Sequence, residues 1–404
     1  MNIAHITIED ACSSLFRSQV VDISKQLIID NIDLNIDIIV INRPWKILNH
    51  INVIKDLNKM IDTDRITIRY FPLLPPLRHS LQSALYSSSV TYYLAIIFFI
   101  LRVKKYDVIH SRSYWPAMSL LKLGLRKIVF DPRSLWVLEN TTSGLLRLDS
   151  KSGEYWKKSE KDLINNVDVT TVVSQAMGVY YKSFCNNADI RHVPIGYYSK
   201  RFFFDQQARC ELRQKYHIMD ATVFVYSGSL RDFSATKTYL QMLFSLILAI
   251  PNAKLVFLTQ EDDFKINAMM TSIGASDDFY LIIRPEFDQM SRWLSMCDIG
   301  VHALSKQLDY ETRLGTKVVE YWACGMPAIV NNYVGAAAEH IYDNNVGAVV
   351  NESTTVLEFN EMVEMVLRIH RNTIQSFASV TFSETAISRS YYDAYVTVDN
   401  NAGL

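Results

Sequence analysis

The sequence predicts an α/β protein of two domains, each a parallel β-sheet covered by helices on both faces. Three observations predict it. Short apolar runs alternate with longer helical stretches over most of the 404 residues, the pattern that strand–helix–strand crossovers require. The alternation stops near residues 195–205, where Pro194 and Gly196 precede Arg201-Phe-Phe-Phe, and then resumes. The composition, 49% apolar and 21% charged, is that of an ordinary globular chain long enough to bury two cores.

Taken in order, Ile3 to Ile8, a helical pattern from Ser18 to Ile29 and Ile36 to Ile41 make a β-α-β unit. A strand follows at Ile66 to Phe71, and Pro72, Pro75 and Pro76 interrupt the chain. A long helical segment, Leu81 to Lys104, leads to strands at Val108–His110, Ile128–Asp131 and Val169–Ser174. The second set is expected at Val223–Ser227, Leu255–Leu258, Tyr280–Ile283, Ile299–Leu304, Pro327–Asn331 and Ala348–Val350, with a helix over Lys237–Ala249. The domains are expected at 1–198 and 199–380, with the aromatic helical stretch after 381 crossing back to the first. The halves do not repeat in sequence.

Lys and Arg total 41 and Asp and Glu 42, a net charge of −1, so no whole-molecule field draws the chain to nucleic acid. The five cysteines form no Cys-x-x-Cys pair and read as free thiols of a reducing compartment. No His-Glu-x-x-His, Walker lysine loop or Gly-x-Gly-x-x-Gly is present, so zinc protease, kinase and dehydrogenase readings lack their motifs. Asp62-Thr-Asp64 reads as a solvated turn, and no metal or other cofactor is expected. The N-terminus lacks the basic start and apolar run of a secretory signal. The longest apolar block, Tyr92 to Leu101, is half of the roughly 20 residues that span a bilayer. Its segment ends in Arg102, Lys104 and Lys105. It reads first as a helix buried against the first sheet and second as a surface for an anionic inner leaflet. A cytoplasmic chain, peripheral on the membrane in the second case, is the expectation.

The most informative run is Arg313-Leu-Gly-Thr-Lys-Val-Val-Glu-Tyr-Trp-Ala-Cys-Gly-Met-Pro-Ala-Ile-Val330. Gly315-Thr316 opens a short helix over Lys317 to Cys324, and Gly325 and Pro327 end it. A helix N-terminus beside the strand ends of a parallel sheet is an anion site. The N–H groups from Gly315 to Val318 suit a diphosphate, and Glu320, one turn on, suits a ribose diol. The plainer alternative is a buried helix whose Glu320 pairs with Lys317 or an arginine.

The wider pattern resembles the donor-binding half of the group 1 (family four) retaining glycosyltransferases of GT-B fold. It runs through Tyr226-Ser-Gly-Ser-Leu230, Pro251-Asn-Ala-Lys-Leu-Val-Phe-Leu258, the Met290–Val301 stretch, Lys317-Val-Val-Glu-Tyr-Trp-Ala-Cys-Gly-Met-Pro327, Gly335 and Glu339 to Gly347. A looser likeness covers Asp107-Val-Ile-His110, Phe130-Asp-Pro-Arg-Ser134, Glu160, Asp168, Val173-Ser174 and Val193-Pro-Ile-Gly196. The resemblance implies two Rossmann-like domains facing a central cleft and a nucleotide-sugar donor that is substrate rather than cofactor. The family's acidic motif is Glu, seven residues, Glu. With Glu320 as the second, the first falls on Thr312, and Glu311 stands one residue early. Glu311 and the backbone at Leu314 are then the expected sugar contacts. Where the family carries an Arg after Gly228, this chain has Ser229. Arg231 and Lys237 remain as cations for the leaving diphosphate, with a solvated loop charge and an exposed helix turn as their plainer readings. Backbone at Arg284-Pro285 is expected to face the base, unless Arg284 is a surface charge.

In the first half the resemblance implies an acceptor domain with loops at its strand ends. Ser13-Ser14 replaces a Gly pair in the first of these loops. His110 with Arg112 ends one strand, and Asp131 with Arg133 ends the next. Asp131 and Arg133 are expected at the reacting centre, or as an ion pair that fixes the loop. Ser13, Ser14, His110 and Arg112 are expected at the acceptor. The implied reaction is retaining transfer to a saccharide, polyprenyl-linked by analogy, in bacterial surface polysaccharide synthesis. A sugar-nucleotide 2-epimerase on the same frame and a non-catalytic carbohydrate-binding subunit stand as alternatives.

Overall fold

The computed structural model describes residues 1–42, 45, 51–61, 63–72, 91, 94–97, 106–230, 233–307 and 310–401. Two compact units result: Met1–Pro194 with Glu384–Leu404, and Ile195–Ser383.

In the first unit seven strands are hydrogen-bonded in the order β3-β2-β1-β4-β5-β6-β7. They are β1 (Asn2–Thr7), β2 (Asn35–Asn42), β3 (Ile66–Pro72), β4 (Val108–Arg112), β5 (Ile128–Asp131), β6 (Val169–Val172) and β7 (Ile190–His192). Every pair is parallel. Successive residues of β2 feed opposite faces. Ile36, Ile38 and Val40 join one core, and Ile39 and Ile41 the other, as the two-residue pleat requires. The C-terminal helix Glu384–Asn401 closes the first of these faces. Its Ile387, Tyr391, Ala394, Tyr395 and Val398 are all buried there, a stripe at helical spacing. Most of the segment Leu81 to Lys105 lies outside the described residues, but Leu94 and Ile97 are buried on the other face beside Ile6 and Ile41.

The second unit holds β8 (Thr222–Ser227), β9 (Ala253–Leu258), β10 (Tyr280–Ile283), β11 (Ile299–His302), β12 (Ala328–Asn331) and β13 (Gly347–Val350). These run parallel in the order β10-β9-β8-β11-β12-β13. Numbered from its own first strand, this sheet reads 3-2-1-4-5-6, and so do the first six strands of the other unit. That is the doubly wound order, which opens a crevice where the strand order reverses. Val223 and Val225 serve one core, and Phe224 and Tyr226 the other. Gly300 has a packing reason: a Cβ there would lie 2.1 Å from Cδ2 of Tyr321, so only glycine lets that ring rest on β11.

Among the described residues no helix is long and apolar enough to cross a membrane.

Candidate functional site

In the second unit the strand order reverses between β8 and β11, and the carboxyl ends of these strands are Ser227 and His302. Beyond Ser227 the chain turns at Gly228 (φ +96°). The helix Thr316–Ala323 starts over the same edge from Gly315 (φ +79°). A Cβ at Gly315 would lie 3.2 Å from Cδ2 and 3.4 Å from Nε2 of His302, so the bare backbone lets the helix start against that imidazole. Tyr321 ties the helix to β8, its hydroxyl oxygen accepting the Ser227 N–H at 2.8 Å. The first N–H groups of any helix lack intrahelical partners. Here the Val318 N–H already donates to the Gly315 carbonyl at 3.0 Å, which corrects the expectation that it is free, and the N–H groups before it lie at the strand ends, where the helix dipole favours an anion.

Side chains converge on the same edge. The Lys317 ammonium rests on the face of Tyr226, 3.9 Å from the ring centroid. Glu320 follows one turn later, partly buried. Burial pushes its carboxyl up to about 8, and Lys317 and Arg201 act against that shift. Among the described residues its carboxylate accepts no hydrogen bond. Arg201 is itself buried and pairs with Asp288 at 3.2 Å. His302 is 7% exposed, and among the described residues its Nδ1 has no hydrogen-bond partner. Burial, then Lys317 and Arg313, hold its pKa well below the ordinary value.

The structure thus brings Gly228, Gly315, Thr316, Lys317 and Glu320 together. The side chain of Leu314 is fully buried, which leaves only its backbone for a ligand. Glu311 is exposed on the turn Tyr310–Thr312, and its carbonyl oxygen would lie 2.2 Å from a Cβ on Gly335. The Ser229 hydroxyl and the Leu230 N–H both donate to Oε1 of Glu261, at 3.1 and 3.2 Å. Arg284 turns to Asp263 and the Glu261 carbonyl, and the Pro285 carbonyl accepts from Gln260 at 3.1 Å. Lys237 is exposed on the helix Phe233–Leu248. Arg231 lies outside the described residues. Sequence reasoning missed His302, Glu261 and the part played by the ring of Tyr226. The motif Tyr226-Ser-Gly held the signal for the last, since an aromatic residue ending a strand beside a glycine borders the crevice.

In the first unit the order reverses between β1 and β4, and a buried carboxylate organises the neighbouring strand ends. Asp131, fully buried, accepts from Thr171 (2.8 Å), Tyr391 (2.8 Å), Arg112 (3.1 Å) and Arg133 (3.5 Å). His110 Nε2 stands 3.4 Å away. Burial alone would raise the Asp131 pKa. Arg133, His110 and Arg112 outweigh it and hold the carboxyl well below the usual range. Arg112 also donates to Glu9 at 2.8 Å, and Arg133 donates to Tyr391 at 3.2 Å. His110 is buried, with Nδ1 2.7 Å from the Tyr395 hydroxyl and its ring stacked 4.1 Å from that of His5. Two non-glycine residues here have positive φ, Ser113 (+98°) and Arg133 (+59°). Backbone held in sparsely populated regions clusters at functional sites. The Ser13 hydroxyl donates to the Asp10 carbonyl at 2.8 Å and accepts the Phe16 N–H at 3.0 Å, capping the turn that Ser14 begins. Glu160 is buried under Tyr114 and Tyr180, which donate to it, and Asp168 accepts the Ile128 N–H.

Asp62 of the Asp62-Thr-Asp64 turn lies outside the described residues, and no group of three or more His, Cys, Asp or Glu among the described residues is placed to hold a metal ion.

Residues 209–376 match the model of the family described as "Glycosyl transferases group 1". A curated relative, the GDP-mannose-dependent alpha-(1-6)-phosphatidylinositol monomannoside mannosyltransferase of Mycolicibacterium smegmatis, is 24% identical over 192 residues. That match spans 46% of this chain and 50% of the relative, so the chain covers about half the length of the curated protein it matches. Solved structures agree over nearly the whole chain. Sucrose-phosphate synthase from Thermosynechococcus elongatus superposes with a TM-score of 0.70 at 16% identity, covering 99% of this chain and all of that one. HepE from Anabaena in complex with UDP gives 0.68 at 13% identity, with both chains fully covered. WaaG, a glycosyltransferase involved in lipopolysaccharide biosynthesis, gives 0.60 at 14% identity, with 99% and 98% covered. These likenesses show the fold: the two sheets are those of the GT-B glycosyltransferases.

Proposed function

With residues 209–376 forming a glycosyl transferases group 1 segment, we propose that the chain transfers a hexose, with retention, from a nucleotide-sugar donor to a saccharide acceptor. One observation carries the reading. The helix Thr316–Ala323 starts at the reversal point of the second sheet and sets Glu320 one turn behind its positive end. The donor's diphosphate lies against that end, and Glu320 receives the two ribose hydroxyls. The glycosidic C–O bond breaks with its electron pair passing to the phosphate oxygen. The acceptor hydroxyl attacks on the same face and passes its proton to the departing phosphate oxygen. Helix dipole and cations favour the charge as it develops. Arg231 and Lys237 are the cations that the sequence nominates. In the first unit Arg133 and Arg112 line the acceptor side, with Asp131 holding them in place.

GDP-mannose and UDP-glucose are the first donors to try, because the mannosyltransferase relative is named for the one and HepE is solved with the other. A lipid-linked acceptor at the inner face of the membrane, in surface polysaccharide synthesis, fits the names of the mannosyltransferase and of WaaG.

The test is calorimetric binding of UDP, GDP, ADP, CDP and dTDP to the wild type and to Glu320→Ala, followed by turnover of the matching nucleotide sugar. The expectation is one preferred nucleotide, bound about tenfold or more weakly by the variant, in line with the loss of a charged hydrogen-bond acceptor. Binding of none of the five by the wild type would refute the donor reading. Epimer formation without acceptor would favour the epimerase.

A further inference from the structure

We propose that Lys317 is the cation that faces the donor's diphosphate and that Tyr226 is its positioning residue. The proposal rests on the donor reading above and moves the charge from the loop after β8 to the helix that starts over it.

Lys317 is the second residue of the helix Thr316–Ala323, and its side chain reaches back over the end of β8. Its Cε and Nζ each lie 3.5 Å from the point where a Cβ on residue 228 would stand. The charge therefore sits on the strand edge where ligands of doubly wound sheets bind. Among the described residues it has no carboxylate oxygen within ion-pair distance. It rests on the face of Tyr226, which attracts a cation without neutralising it.

The Tyr226 ring is held firmly enough to act as a rest. It packs edge-on against Phe244 at 6.1 Å and lies 6.4 Å from Phe257, and its hydroxyl donates to the Ser229 carbonyl at 3.2 Å. One face remains for the ammonium. His302, 6.4 Å from the Tyr226 ring and wedged beside Gly315, flanks the same edge. Among the described residues its Nδ1 is unpartnered, and the side chain is more than nine-tenths buried at the mouth of the helix. Gly228 follows from the same arrangement: its φ of +96° suits glycine, and a Cβ there would touch the lysine side chain at 3.5 Å. Lys317 acts through its charge on the phosphate oxygens as they take the bonding pair.

The experiment compares UDP, GDP and the parent nucleosides on wild type, Lys317→Met, Tyr226→Leu and Tyr226→Phe. Binding is measured by calorimetry at two salt concentrations, and the fold is checked by circular dichroism. Lys317→Met should bind the preferred diphosphate about tenfold or more weakly and the nucleoside unchanged, with a flatter salt dependence. Tyr226→Leu should weaken the diphosphate about three- to tenfold, and Tyr226→Phe, which keeps the face and loses only the hydroxyl, should stay within about twofold. A folded Lys317→Met that binds diphosphate like the wild type overturns the proposal and leaves the donor reading standing. So does an equal loss of nucleoside and diphosphate, or a Tyr226→Leu indistinguishable from wild type. A wild type that binds no nucleotide overturns the donor reading itself.

Discussion

The Tyr391 hydroxyl donates to Oδ2 of Asp131 at 2.8 Å, between residues 260 positions apart in the chain and both buried. This bond ties the C-terminal helix to the end of β5, because Asp131 also accepts from Arg112, Arg133 and Thr171.

Two substitutions separate the parts of this cluster. Tyr391→Phe removes one donor from an anion that keeps its cations, and it should cost about 1.5–3 kcal/mol. Asp131→Ala leaves Arg112 and Arg133 without their shared anion inside the fold and should cost about 3–5 kcal/mol. Urea midpoints of the two variants check both. A Tyr391→Phe that unfolds with the wild type would mean that this bond adds nothing to the apolar stripe and to the Tyr395–His110 and Ser388–Asp30 contacts that also hold the helix.

Strands whose apolar runs are unbroken were legible from sequence. Ile128–Asp131 and Tyr280–Ile283 fall where periodicity places them, and the helix Thr316–Ala323 lies within a residue of its expected start. β7 was not legible: Ile190-Arg-His192 is three residues long and only partly buried, so it carries no hydrophobic signature. Glu320 stood out because the motif around it is local. Asp131, Arg133, His110 and Arg112 stood out as strand-end residues, with an Asp131–Arg133 ion pair among the readings, but Thr171 of β6 and Tyr391 of the C-terminal helix, which complete the cluster, did not, because only folding brings them together. Lys317 on Tyr226 was hidden for the same reason, since nothing local links a strand end with a helix about ninety residues later.

Acid should unfold the protein earlier than its carboxylates alone would dictate. Burial, then His110 and Arg112, hold the His5 pKa well below its ordinary value, and burial lowers that of His110. The unfolded chain protonates these groups near 6.5 while the fold does not. Unfolded chains then bind more protons, so stability falls as pH drops below about 6.5, by up to about 1.4 kcal/mol per pH unit for each group. The depressed Asp131 adds a loss of the same sign at lower pH. Urea midpoints between pH 7.5 and 5.5 should decline, and His5→Asn should decline less steeply. Parallel profiles would show that His5 takes up its proton in the fold as readily as outside it.

Glu320 sets the opposite sign and links it to binding. Its folded pKa of about 8 lies above the ordinary carboxylate value, so the ligand-free fold holds a proton that the unfolded chain has lost. Its contribution to stability is complete below the unfolded carboxylate pKa and is lost as pH rises toward 8. A ribose diol donates two O–H groups and needs the ionised carboxylate to accept both. Nucleotide affinity should therefore climb between pH 6 and 8, by at most about tenfold per unit, and level off above 8. Glu320→Gln accepts through one oxygen and does not titrate, so it should bind more weakly at pH 8 and lose this part of the pH dependence. Calorimetric titrations with the preferred nucleoside diphosphate at pH 6, 7 and 8 separate the two, since the phosphate's own ionisation is common to both proteins. Equal pH profiles would place the ribose hydroxyls on a group other than Glu320.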